Sequence, residues 1–214
     1  MHWRHDLVWL SDAGWEAARR AAEPGHAEAM LRWQEHAWPC VARRQEPGVD
    51  DSQVCLGLAL PPDPATGIKQ RIGLQASLQE VTRATRPLSL RDALGAAPPA
   101  WRGALASLAA ELPLHVYGSL ALQSITGAAY LGPRSDIDLL LYPTRTDALQ
   151  AALTLLDTAA QELPLDGELV FPGGAAVAWK EWIAAQRDGA RVLVKERGGV
   201  RLASCADLLA TLEA

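Results

Sequence analysis

Lysine, cysteine and phenylalanine are scarce in this chain, and long apolar runs are missing. Only 3 of its 20 cations are lysine; the other 17 are arginine. Against them stand 25 acidic residues, for a formal net charge of -5. Without a basic excess the chain has no general surface for nucleic-acid phosphates, and no nucleic-acid partner is expected. The three cysteines, Cys40, Cys55 and Cys205, are odd in number, far apart and lack a Cys-x-x-Cys spacing. Neither a zinc site nor a disulfide framework is indicated, and free thiols fit a reducing cytoplasm. No window approaches the roughly 20 apolar residues that span a bilayer. The start, Met1-His2-Trp3-Arg4-His5-Asp6, turns polar at once and lacks the apolar centre of a signal peptide. A cytoplasmic protein with no membrane partner is therefore expected. What is present is the balance of a folded protein: 214 residues, 49% hydrophobic and 21% charged. That length holds one large domain or two small ones.

Two proline clusters punctuate the chain, Leu60-Pro61-Pro62-Asp63-Pro64 and Ala97-Pro98-Pro99-Ala100. Residues 11–37 read as helical from an N-cap at Ser11 or Asp12, with a break at Pro24-Gly25. Strand-like runs follow at 39–43, 54–60 and 68–76, the last two joined by a turn at Thr66-Gly67. Residues 1–86 thus read as a small N-terminal α+β domain. From Pro87 strands and helices alternate. Ser89-Leu90-Arg91-Asp92 resembles a helix-opening capping box. Strands are expected at 115–117, 137–142, 165–171 and 192–195, and helices at 120–126, 145–161, 177–186 and 205–212. Residues 87–214 would then form a second domain with a mixed sheet flanked by helices. The acidic excess lies there, with 14 acidic residues against 10 cations.

The chemistry concentrates in VYGSLALQSITGAAYLGPRSDIDLLLY, residues 116–142. A strand ends at Gly118-Ser119 and a helix begins at once. Glycine permits close backbone approach, and the helix start offers free amides and a positive dipole end to a phosphate. Further on, Asp136 and Asp138 flank Ile137. On a strand they project from one face, roughly 7 Å apart. Hard carboxylate oxygens on one face suit Mg²⁺ shared with substrate phosphates. Unpaired carboxylates leading into the apolar Leu139-Leu140-Leu141 would be costly, so a cation is their natural partner. A third acidic strand, Leu165-Asp166-Gly167-Glu168, supplies Glu168 or, two residues earlier on the same face, Asp166.

Gly-Ser at a helix start, Asp-x-Asp on a strand and a third carboxylate on a later strand together resemble the nucleotidyltransferase superfamily. DGELVFPGGAAVAWKEW at 166–182, RHDLVWL at 4–10 and WPCVARR at 38–44 narrow the likeness over nearly the whole chain. They are similar to the phosphoribosyl-dephospho-coenzyme A transferases of malonate decarboxylase, its holo-acyl-carrier-protein synthases. The resemblance implies transfer of the phosphoribosyl-dephospho-coenzyme A group from 2'-(5''-triphosphoribosyl)-3'-dephospho-coenzyme A. The acceptor would be a serine of the acyl carrier protein subunit, and pyrophosphate would leave. It further implies two Mg²⁺ ions on Asp136, Asp138 and Glu168. Glu168 or Asp166 would help remove the serine proton, and Gly118 and Ser119 would hold the triphosphate.

Outside this set, Lys180, Lys195 and Arg134 are candidate phosphate-binding cations, with a pairing of Lys180 to a nearby acid such as Glu181 as the alternative. Arg43-Arg44 are read first as a solvated pair, with binding of the carrier protein or a coenzyme A phosphate as the alternative, and His5-Asp6 as structural. Trp179 and Trp182, three apart on a helix, are read as core. Two other functions share parts of the pattern: a generic nucleotidyltransferase with another acceptor, and a non-catalytic carrier-binding protein that retains the fold. The intact acidic set argues against the latter.

Overall fold

The computed structural model describes residues 4–213, so Met1, His2 and Trp3 of the polar N-terminal start lie outside it. The chain folds into two compact units. Of the described residues, the first takes 4–87 together with Ala128–Tyr130, and the second the remainder.

In the first unit an antiparallel sheet is built from β1 (Leu7–Leu10), β2 (Cys40–Ala42), β3 (Gln53–Ala59), β4 (Arg71–Ser77) and β5 (Val81–Thr85), in the order β4-β3-β2-β1-β5. Two helices, α1 (Asp12–Ala21) and α2 (Ala27–Glu35), occupy the stretch read as one broken helix. The Ser11 hydroxyl accepts from the Gly14 amide, 3.0 Å, and donates to the Glu80 carboxylate. Gly25, at φ 99°, turns the chain between the helices. Trp15, Ala18, Met30 and Trp33 bury their inward faces. The Asp63 carboxylate organises the β3–β4 connection by accepting from the Ala65 amide and from the amide and hydroxyl of Thr66. The strand read from Ile68 begins only at Arg71, because Ile68 lies exposed in that turn. On β4 alternate residues Ile72, Leu74 and Ala76 are buried, the period-2 signature of a sheet with one covered face. β5 shows no such alternation, and the sequence reading does not place it.

The second unit holds a six-stranded sheet made of β6 (His115–Val116), β7 (Ile137–Leu141), β8 (Leu165–Val170), β9 (Ala176–Ala178), β10 (Val192–Lys195) and β11 (Val200–Ala203). Their order is β11-β10-β9-β8-β7-β6. Only the β7–β8 pair is parallel, with α6 (Thr146–Ala159) as its crossover. The fold is α+β with a mixed sheet flanked by helices, as expected. Leu149, Leu153 and Leu156 of α6 are all buried.

β11 is not placed by the sequence reading, most other boundaries shift by one or two residues, and three differences are larger. Residues 177–186 were expected to be one helix, but Ala176–Ala178 pairs with β8 and the helix α7 runs Trp179–Asp188. Val177 reaches the core from a strand, a role that a β-branched residue fills well. The closing helix α8 is shorter, Cys205–Leu209, opened by a capping box of Ser204 and Asp207. Its hydrogen bonds from Ser204 hold the Asp207 carboxyl below its usual range. Ala97-Pro98-Pro99-Ala100, read as punctuation, starts the helix α4 (Pro99–Glu111), since proline is well suited to the first helical turn. The short helix α3 (Leu90–Ala93) is capped as read, with Ser89 accepting from the Asp92 amide at 3.1 Å.

Among the described residues no helix is long and apolar enough to cross a membrane. All three cysteines are free thiols; Cys40 and Cys55 are buried and Cys205 is partly exposed. Burial pushes the Cys40 thiol far above its ordinary range, which removes thiolate nucleophilicity. In a native-state thiol titration one cysteine should react, and Cys205→Ser should abolish that reaction. All three should react in denaturant.

Candidate active site

The alternation of β7 decides what the site can be. Ile137, Leu139 and Leu141 enter the core of the second unit, so Asp138 and Leu140 face the other way. In the parallel pairing Asp138 stands opposite Asp166 and Leu140 opposite Glu168. Directly paired residues share a face, which sets Asp138, Asp166 and Glu168 on one side of the sheet. Asp136, two residues before Asp138 and exposed, extends the row toward solvent. Arg134 lies just before it in an exposed turn, where the Gly132 amide donates to the Ser135 hydroxyl, 2.9 Å.

Helix α5 (Gly118–Thr126) opens against this row. Gly118 is its first residue at φ 65°, and a Cβ built there would stand 2.2 Å from Oδ2 of Asp138. Only glycine lets the helix start meet that carboxylate, and the positive end of the helix then lies beside it. The Tyr117 amide donates to the Asp138 carbonyl, 3.1 Å, joining the two motifs through the backbone. Ser119 follows as the half-buried second residue of α5.

Glu168 and Asp166, the two candidates for the third carboxylate, have different surroundings. Glu168 is only 4% exposed, and its Oε1 accepts from the Lys195 ammonium at 2.7 Å. Lys195 arrives from β10, two strands away. Both residues were read as facing substrate or metal, and the structure brings them to each other. Asp166 is less buried and faces Asp138 across the β7–β8 pair. Lys180 is exposed on α7, with its ammonium 5.5 Å from the centroid of the Trp179 ring. Its neighbour Glu181 accepts from the Leu193 amide instead, 2.7 Å. Trp179 and Trp182 are core residues, with Trp182 packed 5.0 Å from the single phenylalanine, Phe171.

Among the described residues no group of three His, Cys, Asp or Glu side chains has its donors gathered as a metal site. Mg²⁺ asks for less than that. It is usually held by one or two carboxylates, with waters and substrate phosphates filling the other positions. Asp138 and Asp166 in register, with Asp136 beside them, fit that share.

Gly167 escaped the sequence reading, although its place between Asp166 and Glu168 was a usable signal. At φ 138° it would set a Cβ 1.9 Å from the Leu139 carbonyl oxygen. A second miss is the ring pair of His115 and Tyr142, centroids 5.3 Å apart and edge-on, with His115 opposite Leu140 on the carboxylate face. In the first unit Arg43 is structural. It donates from Nε to the Leu56 carbonyl, 2.8 Å, pairs with Glu46, 2.6 Å, and lies over the cross-strand glycines Gly57 and Gly73.

Two mutational outcomes follow. Gly167→Ala should lower unfolding stability by roughly 2–5 kcal/mol in denaturant titration, because the backbone is strained and the space is taken. Lys195→Met should cost about 3 kcal/mol by stranding a buried carboxylate, and Lys195→Met/Glu168→Gln should recover much of it.

The sequence pattern of the phosphoribosyl-dephospho-CoA transferase MdcG C-terminal domain matches residues 89–206, and that of its N-terminal domain matches residues 3–87. A phosphoribosyl-dephospho-CoA transferase of Xanthomonas campestris pv. campestris is 37% identical over 209 residues, covering 93% of this chain and 92% of the relative. One from Bradyrhizobium diazoefficiens is 39% identical over 187 residues, covering 83% and 80%. One from Pseudomonas fluorescens is 35% identical over 214 residues, covering 94% and 91%. No solved structure matches. Matched in both of its parts, the chain belongs to the phosphoribosyl-dephospho-CoA transferase family of enzymes.

Proposed function

We propose that the chain moves the phosphoribosyl-dephospho-coenzyme A group from 2'-(5''-triphosphoribosyl)-3'-dephospho-coenzyme A to a serine of the acyl carrier protein subunit of malonate decarboxylase. The serine oxygen forms a bond to the α-phosphorus, and the bond from that phosphorus to the bridging oxygen breaks. Pyrophosphate leaves, and the serine proton passes to a base in the site. The observation that carries this reading is the in-register pair Asp138 and Asp166, with the start of α5 against Asp138.

Each group then has a task. Asp136, Asp138 and Asp166 would hold Mg²⁺, two ions in the full site. Bound there, the metal neutralises the charge that grows on the phosphates as the bond breaks. Asp166 is the preferred third carboxylate and proton acceptor, because the charge of Glu168 is already met by Lys195. Gly118 and Ser119 receive the triphosphate at the start of α5, where amides and dipole favour an anion. Arg134 and Lys180 are the remaining cations proposed for its outer charge. Three free thiols fit a cytoplasmic setting for this reaction.

Intact-mass spectrometry tests the reading. The purified chain, the triphosphate donor, Mg²⁺ and the apo carrier subunit should give one added prosthetic group on a serine. Asp138→Asn should slow transfer about 100-fold or more without lowering the melting temperature. Asp166→Asn should lower kcat more than Glu168→Gln does. An unmodified carrier, or full activity in Asp138→Asn, would sink the assignment; nucleotide transfer to another acceptor would point to a generic nucleotidyltransferase.

A further inference from the structure

On the carboxylate face, β10 and the edge strand β11 carry a surface that the chemistry above does not use. On β10, Val192 and Val194 enter the core, so Leu193 and Lys195 face the carboxylate side. On β11, Leu202 pairs with Leu193 and Val200 with Lys195, which puts them on that side too. These apolar residues are not covered: Leu193 is 38% exposed, Val200 53% and Leu202 54%. Scattered apolar side chains need no explanation, but three adjoining ones on a sheet edge mark a contact surface.

The surface is also cationic. Arg191, two residues before Leu193, shares its face, and Arg197 lies in the hairpin turn, while the charge of Lys195 is met by Glu168 and Arg201, opposite the core residue Val194, faces the other side. That leaves two cations, Arg191 and Arg197, beside the apolar residues in a chain whose total is -5. Two of the arginines are fastened in place. Arg191 donates to the Leu202 carbonyl, 2.8 Å, and Arg201 pairs with Glu196, 2.7 Å.

We propose that the β10–β11 hairpin is the docking surface for the acceptor protein, and that the acceptor face which binds it is acidic with an apolar centre. The proposal rests on the transfer reaction proposed above and adds where the acceptor binds. Geometry favours a protein here over the donor. From β11 to the β8 carboxylates is three strand spacings, about 14 Å. A standard interface of about 800 Å² per partner is roughly 30 Å across. One footprint therefore spans the hairpin while the acceptor's serine stands over the aspartates. Charge complementarity would speed the encounter and fix its register, and the apolar centre would supply the grip.

Steady-state kinetics with apo carrier and triphosphate donor test the surface through the exposed Leu202→Asp and the half-buried Arg197→Glu, both away from the carboxylates. Each should raise the KM for the carrier tenfold or more, leaving the donor KM and the kcat at saturating carrier near wild type. Carrier KM should also rise with ionic strength in the wild type, and less steeply in Arg197→Glu. Direct titration of apo carrier into the Asp138→Asn chain, read by calorimetry, should weaken by the same factor when Leu202→Asp is added. Unchanged carrier KM in both variants, with wild-type transfer, overturns the docking surface and leaves the reaction standing. A raised donor KM overturns it by assigning the hairpin to the donor. A dimer that Leu202→Asp converts to monomer overturns it in favour of a contact between two copies of this chain. A wild-type chain that neither binds nor modifies the carrier removes the reaction itself, and the docking surface with it.

Discussion

The second unit depends on one parity. Along β7 the odd-numbered residues Ile137, Leu139 and Leu141 are core, and the even-numbered Asp138 faces away. The same rule holds on β8, where Leu165 and Leu169 are core and Asp166 and Glu168 are not. A slip of one residue in either strand would drive carboxylates into hydrocarbon and leucines into the site. Gly167 helps to forbid that slip, because only a residue without a side chain fits against the Leu139 backbone. The Lys195–Glu168 pair acts from the other side, tying β8 across β9 to β10. Register, core and site are therefore one specification.

That specification sorts acids that look alike in the sequence. Glu168 is buried and met by a cation of the protein itself. Asp136 is exposed, and Asp138 and Asp166 are intermediate. A carboxylate in an internal ion pair is a poor ligand, because a metal must first displace its partner and leave that charge uncompensated. Those that keep contact with water pay less to gain a metal. The distinction is set by position on a twisted sheet, where one end of a strand can be wet while its middle is sealed.

Local signals were legible wherever the physics is local. Ser11 and Ser89 cap helices within three residues of themselves. The apolar run after Asp138 reads as a covered strand because nothing polar interrupts it. The first misreading came from Pro98-Pro99, which opens a helix as readily as it ends one. Ala176-Val177-Ala178 has no periodicity of its own, and its strand character comes from the β8 edge beside it. Lys195 and Glu168 lie 27 residues apart, so their partnership belongs to topology. The Asp-x-Asp motif was readable, whereas the different surroundings of Asp166 and Glu168 required knowing that β10, with Lys195, lies next to β9.

The scarcity of lysine can be weighed from the structure. Seventeen of twenty cations are arginine, yet the one that meets the buried Glu168 is a lysine. An ammonium is a compact point charge on a slender stem, while a guanidinium is a broad planar fork that asks for a wider slot. Position 195 sits on an inner strand between β9 and β11, where lateral room is set by strand spacing. At position 195 the shape of the cation matters as much as its charge.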